Sequence, residues 1–213
     1  AAPAFKCQDC HHIGLYCHSC LLSEHQSRPF HNILKWNGNV FQDTTLLDQG
    51  LVWHIGHGSS ASPTCERHSG TSQTITVVDI NGIHKVMVQW CGCGEHGLRT
   101  HMEQLLENEL FPATPQRIRT AFTFRAMKNF HILHLQGKMN AWEWCASITR
   151  LTNNVLPGNF YAVFLRAHRQ WALLKCLRRS GFISTTVPRN NGIFRVKCPA
   201  CPQPGINLPA DWE

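Results

Sequence analysis

Six side chains able to bind a soft metal ion fall within 25 residues near the start of the chain, in the run Cys7-x2-Cys10-x6-Cys17-x2-Cys20-x4-His25-x5-His31. Thiolate sulfur and imidazole nitrogen are the donors of tetrahedral zinc, and a Cys-x2-Cys pair on a tight turn supplies two of four ligands at little ordering cost. Such pairs often interleave, the first and third binding one ion and the second and fourth another. A full cross-brace needs four pairs; three are present, Cys7/Cys10, Cys17/Cys20 and His25/His31. If an upstream pair has been cut away, Cys7, Cys10, His25 and His31 share one ion and Cys17 and Cys20 are left half-coordinated, which is the assignment adopted. The simpler alternative is a single Cys7, Cys10, Cys17 and Cys20 site, with His25 and His31 at the surface or capping a helix. His11, His12 and His18 read as solvent-facing neighbours.

A second quartet can be drawn from Cys91-Gly92-Cys93 and Cys198-Pro199-Ala200-Cys201, with Cys65, His96 and His101 as possible substitutes. Four protein ligands close a zinc site and make it structural, whereas catalytic zinc keeps a position open for water. His96 beside Glu95, with Cys91 and Cys93, lacks the spacing of a zinc deaminase. The chemistry expected is therefore crosslinking, at about two zinc ions per chain, or three if Cys17 and Cys20 recruit nearby histidines.

These ligands need elements to position them. Residues 1–36 are too few to fold around an apolar core without metal and form one module. The stretch from Asn37 to Gln49 is polar, Leu51 to Trp53 is strand-like, and His57 to Gly70 is a Gly/Ser/Pro loop carrying Cys65. Two runs rich in Ile, Val and Thr flank Asn81-Gly82 and predict a β-hairpin over 74–90, with Ile80 opposite Ile83 and Asp79 opposite His84. Ile75, Val77, Val86, Val88 and Trp90 then share the core face, and the second arm delivers Cys91 and Cys93 at its end. Residues 98–180 read as helical, in segments Thr100 to Leu110, Thr120 to Gln136, Ala141 to Asn153 and Asn159 to Ser180, punctuated by Pro112, Pro115, Gly137, Pro157-Gly158 and Gly181. A closing strand, Ile193 to Lys197, presents the Cys198–Cys201 turn, the whole closing stretch running over 193–209. The fold class is α+β and zinc-stabilised: a small N-terminal zinc module, then, over 37–213, a hairpin or small sheet whose mostly helical insertion is clamped by the second zinc site.

Hydrophobic residues make up 43% of the 213, enough for a globular chain. Eight of the 11 cysteines sit in pairs too close to bridge within a pair, which favours metal and a reducing, intracellular compartment over disulfides. No apolar run approaches the roughly 18–20 residues that span a bilayer. A net charge of +7 favours a polyanionic partner. Ala1 at the start and the Pro-rich exit give the chain the look of a piece of something longer.

The ordered set Cys7-Gln-Asp-Cys10, Leu15-Tyr-Cys17-His-Ser-Cys20, Pro29-Phe-His31, Trp36-Asn-Gly38, Val78 to His84, Cys91-Gly-Cys93, Gln104-Leu-Leu106, Phe111 to Thr114, Thr120 to Phe124 and Cys198 to Pro209 resembles the CxC-type cysteine cluster region found with KDZ transposases, large DNA transposases abundant in fungi. The opening Cys/His repeats also resemble B-box-like and ZZ-like fingers. The resemblance implies a nuclear, non-catalytic region lying ahead of a ribonuclease-H-like catalytic core on the same transposase chain. It also implies a further Cys-x2-Cys upstream of Cys7. A two-metal nuclease site needs several converging carboxylates, and Asp79, with His84 as its expected partner, offers no such set.

DNA, at a transposon end or flanking target, is the partner expected first. Arg117, Arg119, Arg125 and Lys128 gather around one predicted helix start, and Arg166, Arg169, Lys175, Arg178 and Arg179 line another; Arg178, Arg179, Arg189 and Arg195 are the preferred phosphate contacts. The alternative is a B-box-like protein-interaction or self-association module anchored by Trp36, Trp142, Trp144 or Trp171.

Overall fold

The computed structural model describes residues 4–11, 13–55, 68–92, 100–153, 159–179, 200–202, 207–209 and 211, with backbone alone for 68–71. The chain divides into two compact units, Ala1–His168 and Arg169–Glu213. The described elements are α+β, with five helices and two sheets.

In the first unit, strands β1 (Phe5–Cys7), β2 (Ile33–Trp36) and β3 (Phe41–Thr44) form an antiparallel sheet, and helix α1 (His18–His25) lies between β1 and β2 in the chain. Side chains alternate across such a sheet. Phe5, Cys7 and Ile33 therefore share the inner face, where they pack with Leu21 of α1 and with Leu46 and Leu51 beyond β3. The pairing runs past residue 36, the expected limit of the first module: part of the polar stretch forms β3, and Leu46 and Leu51 close the core.

The second sheet combines β4 (Val52–His54), β5 (His68–Asp79), β6 (Gly82–Cys91), β7 (Leu110–Pro112) and β8 (Thr120–Thr123) in the order β4-β6-β5-β8-β7, with β4 parallel to β6 and β8 parallel to β5. The hairpin forms as β5 and β6, but its register differs from the expected one. Asp79 pairs with Gly82 and Val78 with Ile83, so Ile80 and Asn81 make the turn. The partner of each residue moves by two positions, which preserves the faces, because side-chain direction repeats every two residues. Ile75, Val77, Val86, Val88 and Trp90 still share one face and all are buried.

Two tertiary constraints account for the shift. Gly82 sits at φ 145°, a value that favours glycine, and a Cβ there would come within 3.0 Å of the Thr152 hydroxyl. Asn81 is held by tertiary bonds: its Nδ2 donates to the Phe30 carbonyl at 2.8 Å, and its Oδ1 lies 3.0 Å from His84 Nε2. The expected Asp79–His84 pair is therefore absent. Asp79, fully buried, instead accepts from the Thr123 hydroxyl, from the Ile80 N–H and from the Arg125 guanidinium.

Four helices follow the hairpin as expected: α2 (His101–Glu107), α3 (Phe124–Gly137), α4 (Ala141–Thr152) and α5 (Tyr161–Arg179). Capping boxes start α2 at Thr100/Glu103 and α4 at Asn140/Glu143. The segment expected to be helical from Thr120 is a strand as far as Thr123, whose hydroxyl caps α3. Its β-branched and aromatic residues suit a strand packed on both faces. The block expected as a helical insertion is thus woven into the sheet through β7 and β8.

One face of the larger sheet packs Trp53, Ile75, Val77, Val86, Val88, Trp90 and Ala121 with Leu105 of α2. The other carries Val78 and Phe122 towards an aromatic group: Phe122 meets Phe164 of α5 at 5.4 Å between centroids, Phe130 of α3 meets Phe164 at 4.9 Å, and Trp144 of α4 stacks on Phe164 at 4.5 Å. In the second unit, the remainder of α5 holds Trp171, with the Lys175 ammonium 5.0 Å over its ring. The expected closing strand lies outside the described residues.

Burial pushes the Asp79 carboxyl up, yet the bonds from Arg125, Thr123 and Ile80 outweigh it and hold it below the ordinary carboxylate range. Its stabilisation is present above the unfolded carboxyl pKa of 3.8 and is lost as pH falls through the folded value. Arg125→Met leaves a buried, under-compensated carboxylate and should cost about 2–4 kcal/mol at neutral pH, discounted because the guanidinium is half exposed. Urea melts at pH 7 and pH 3 check this: the penalty should shrink at the lower pH, and an equal penalty at both would contradict it.

Candidate metal centre

Four side chains from three segments converge in the first unit. Cys7 ends β1, Cys10 lies on the turn after it, His25 is the last residue of α1, and His31 stands two residues before β2. Their ligand atoms, Cys7 Sγ, Cys10 Sγ and one ring nitrogen from each histidine, all lie within 4.8 Å of one another. His31 Nδ1 is 3.4 Å from Cys7 Sγ and 3.3 Å from Cys10 Sγ, and His25 Nε2 is 3.7 Å from Cys10 Sγ. Zinc bonds of about 2.3 Å to sulfur and 2.0 Å to nitrogen at the tetrahedral angle place sulfur and nitrogen about 3.5 Å apart. The observed edges bracket that value, so this group can hold a tetrahedral metal ion.

The surroundings orient the donors. The His25 Nδ1–H donates to the Leu21 carbonyl at 2.9 Å, one helical turn back, which leaves Nε2 with its lone pair towards the cysteines. The Cys10 N–H points at Cys7 Sγ at 3.3 Å, and Asp9, between the two cysteines, accepts the Asn32 N–H at 2.6 Å, tying the turn to the segment that carries His31. The Arg28 guanidinium lies 3.7 Å from Cys10 Sγ. Asp9 and Arg28 carry no ligand signature of their own; their places between and beside the ligands were the only clue to them.

Burial pushes the Cys7 thiol up to about 11 and holds His25 and His31 below the usual imidazole range. Both effects disfavour charge in a half-dry site, and a divalent cation that binds thiolates and neutral imidazoles resolves them together.

Cys17 and Cys20 stand apart from this group. Cys17 is the N-cap of α1, its sulfur accepting from the Cys20 N–H and lying 3.3 Å from the Ser19 hydroxyl, and Cys20 is exposed. The Ser19 hydroxyl and the Cys20 N–H draw the Cys17 thiol down to about 6. Of the second expected quartet, Cys91 is buried at the end of β6, where the Gln104 side chain bonds both its N–H and its carbonyl at 2.9 and 3.0 Å. Cys201 is exposed, and Cys93 and Cys198 lie outside the described residues, as do Cys65 and His96. Cys145 is a core residue whose thiol burial pushes up to about 12. Arg178 and Arg179 are exposed at the end of α5; Arg189 and Arg195 lie outside the described residues.

Residues 46–156, just over half of the chain, match the family described as CxC2 like cysteine cluster associated with KDZ transposases. The chain belongs to this family. The match within this cysteine cluster runs from the end of the first core through the larger sheet to α4, so the Cys7, Cys10, His25 and His31 group lies ahead of it and the Cys198–Cys201 turn beyond it. No curated protein and no solved structure matches the chain. Among the described residues no helix is long and apolar enough to cross a membrane.

Cys10→Ser and His25→Ala should each lose the ion held by this group, while Cys17→Ser should retain it; elemental analysis of the purified variants reads the difference. Loss of that ion from Cys17→Ser would instead point to the four-cysteine arrangement. Because Cys7 must give up a proton that burial holds, metal affinity should fall as pH is lowered, followed by chelator competition between pH 8 and pH 6.

Proposed function

We propose that this chain is a zinc-stabilised, non-catalytic region of a KDZ transposase that grips DNA at a transposon end or its flanking target, in the nucleus. The family match carries the reading. Two sulfurs and two nitrogens at tetrahedral spacing favour zinc as the ion, and they leave no position open for water. The chemistry of strand transfer would then belong to a ribonuclease-H-like core elsewhere in the transposase.

The net charge of +7 supports an anionic partner. Arg166, Arg169, Arg178 and Arg179 are all exposed on α5. Arg178 and Arg179 also suit the negative end of the helix dipole, so their placement at the C-terminal turn is favourable with or without DNA. A protein-docking role is the second reading, supported by Trp142, 64% exposed on α4; Trp144 and Trp171, by contrast, are buried.

Gel-shift titration against duplex DNA at about 50 and 200 mM salt tests the first reading. Affinity should drop by about tenfold or more between the two, and Arg178→Gln with Arg179→Gln should flatten the log–log salt slope by about two. Absence of binding at the lower salt would remove DNA as the partner, and light scattering would then test self-association.

A further inference from the structure

The outer face of the β1-β2-β3 sheet bears side chains that the metal centre and its core do not use. By the strand register, Lys6, Leu34, Trp36, Phe41 and Asp43 lie on this face, opposite the buried Phe5, Cys7 and Ile33. Trp36 is 41% exposed and Phe41 38%, and their rings face each other across β2 and β3 with centroids 5.0 Å apart. Exposed aromatic pairs of this kind mark a surface that meets a partner.

We propose that this face is a stacking platform for unpaired bases of single-stranded nucleic acid. The proposal deepens the DNA-binding reading and rests on it. Three features favour a nucleic-acid strand over an apolar protein segment. Both rings are more than a third exposed on a sheet face, which suits the π-face of a base of any identity. Lys6 shares the face, paired with Leu34 on β2 and exposed, so a cationic group stands beside the rings where a phosphate backbone would pass. The β2–β3 turn carries exposed Asn37 and Asn39, and Asn37 Oδ1 already accepts the N–H groups of Asn39 and Val40, which fixes the turn and places carboxamides at the rim for base edges. Asp43 marks the other end of the face, so the strand would run along the Lys6–Trp36 side. The metal ligands anchor both supporting strands: Cys7 is the residue after Lys6, and His31 leads into β2. An intact centre therefore holds the platform in shape.

Fluorescence anisotropy with labelled oligothymidylate and with a duplex of equal length, both at low salt, tests the proposal on the full chain. Trp36→Leu and Phe41→Leu should each weaken oligothymidylate binding about fivefold or more and leave duplex affinity nearly unchanged. Lys6→Gln should weaken it less and reduce its salt dependence. Metal content and circular dichroism verify folding, which exposed positions tolerate. Unchanged oligothymidylate affinity in both ring variants would overturn the platform while leaving duplex binding intact. So would Trp36→Leu dissolving a dimer without touching nucleic-acid affinity, which would assign the face to a second copy. A wild-type chain that binds neither probe would overturn the DNA reading and the platform with it.

Discussion

Coordination geometry is the constraint on which the β1-β2-β3 module depends. Cys7, Cys10, His25 and His31 come from three separate segments, and the apolar group they stand over, Phe5, Leu21, Ile33, Leu46 and Leu51, is too small to offset the entropy of ordering that much chain. An ion bound by these four donors would replace the missing core. The loop-closing cost would then be met once, at the site, and short strands that are marginal alone would be held as a sheet with a fixed inner and outer face.

That order passes directly to the larger sheet. Phe30, immediately before the ligand His31, packs edge-on against Trp53 at 5.3 Å, and its carbonyl takes the Asn81 amide at the hairpin turn. Asn32, just after the ligand, reaches back to the Asn81 carbonyl at 3.4 Å. The metal loop and the β5–β6 turn thus hold each other. Behind the turn, Asp79 joins β5 to β8 and the start of α3 through Thr123 and Arg125. A buried carboxylate is tolerated there because every partner is in place, and it penalises any other registration of those strands.

The span that matches the cysteine cluster family takes in this larger sheet with α2, α3 and α4, and ends before α5. The metal group is an addition ahead of that span, joined to it by contacts and not by a linker alone. This module exposes Trp36 and Phe41 on the outer face of its sheet.

The local features were legible because they follow from neighbours in the chain. Ligand spacing grouped Cys7, Cys10, His25 and His31, four side chains whose ligand atoms the fold brings within 4.8 Å of one another. The alternation of β-branched residues gave both hairpin faces, and prolines and glycines marked four helices. What sequence could not show were features that depend on distant partners. The hairpin register was decided by Gly82 meeting Thr152 and Asn81 meeting Phe30; the strand character of Thr120–Thr123 by a place between β5 and β7; the partner of Asp79 by Arg125, 46 residues away. Residue type and short-range period determine which way a side chain faces and which atoms can bind an ion. Only the folded chain decides which of several compatible partners it meets, because those alternatives differ in long-range packing that no local window contains.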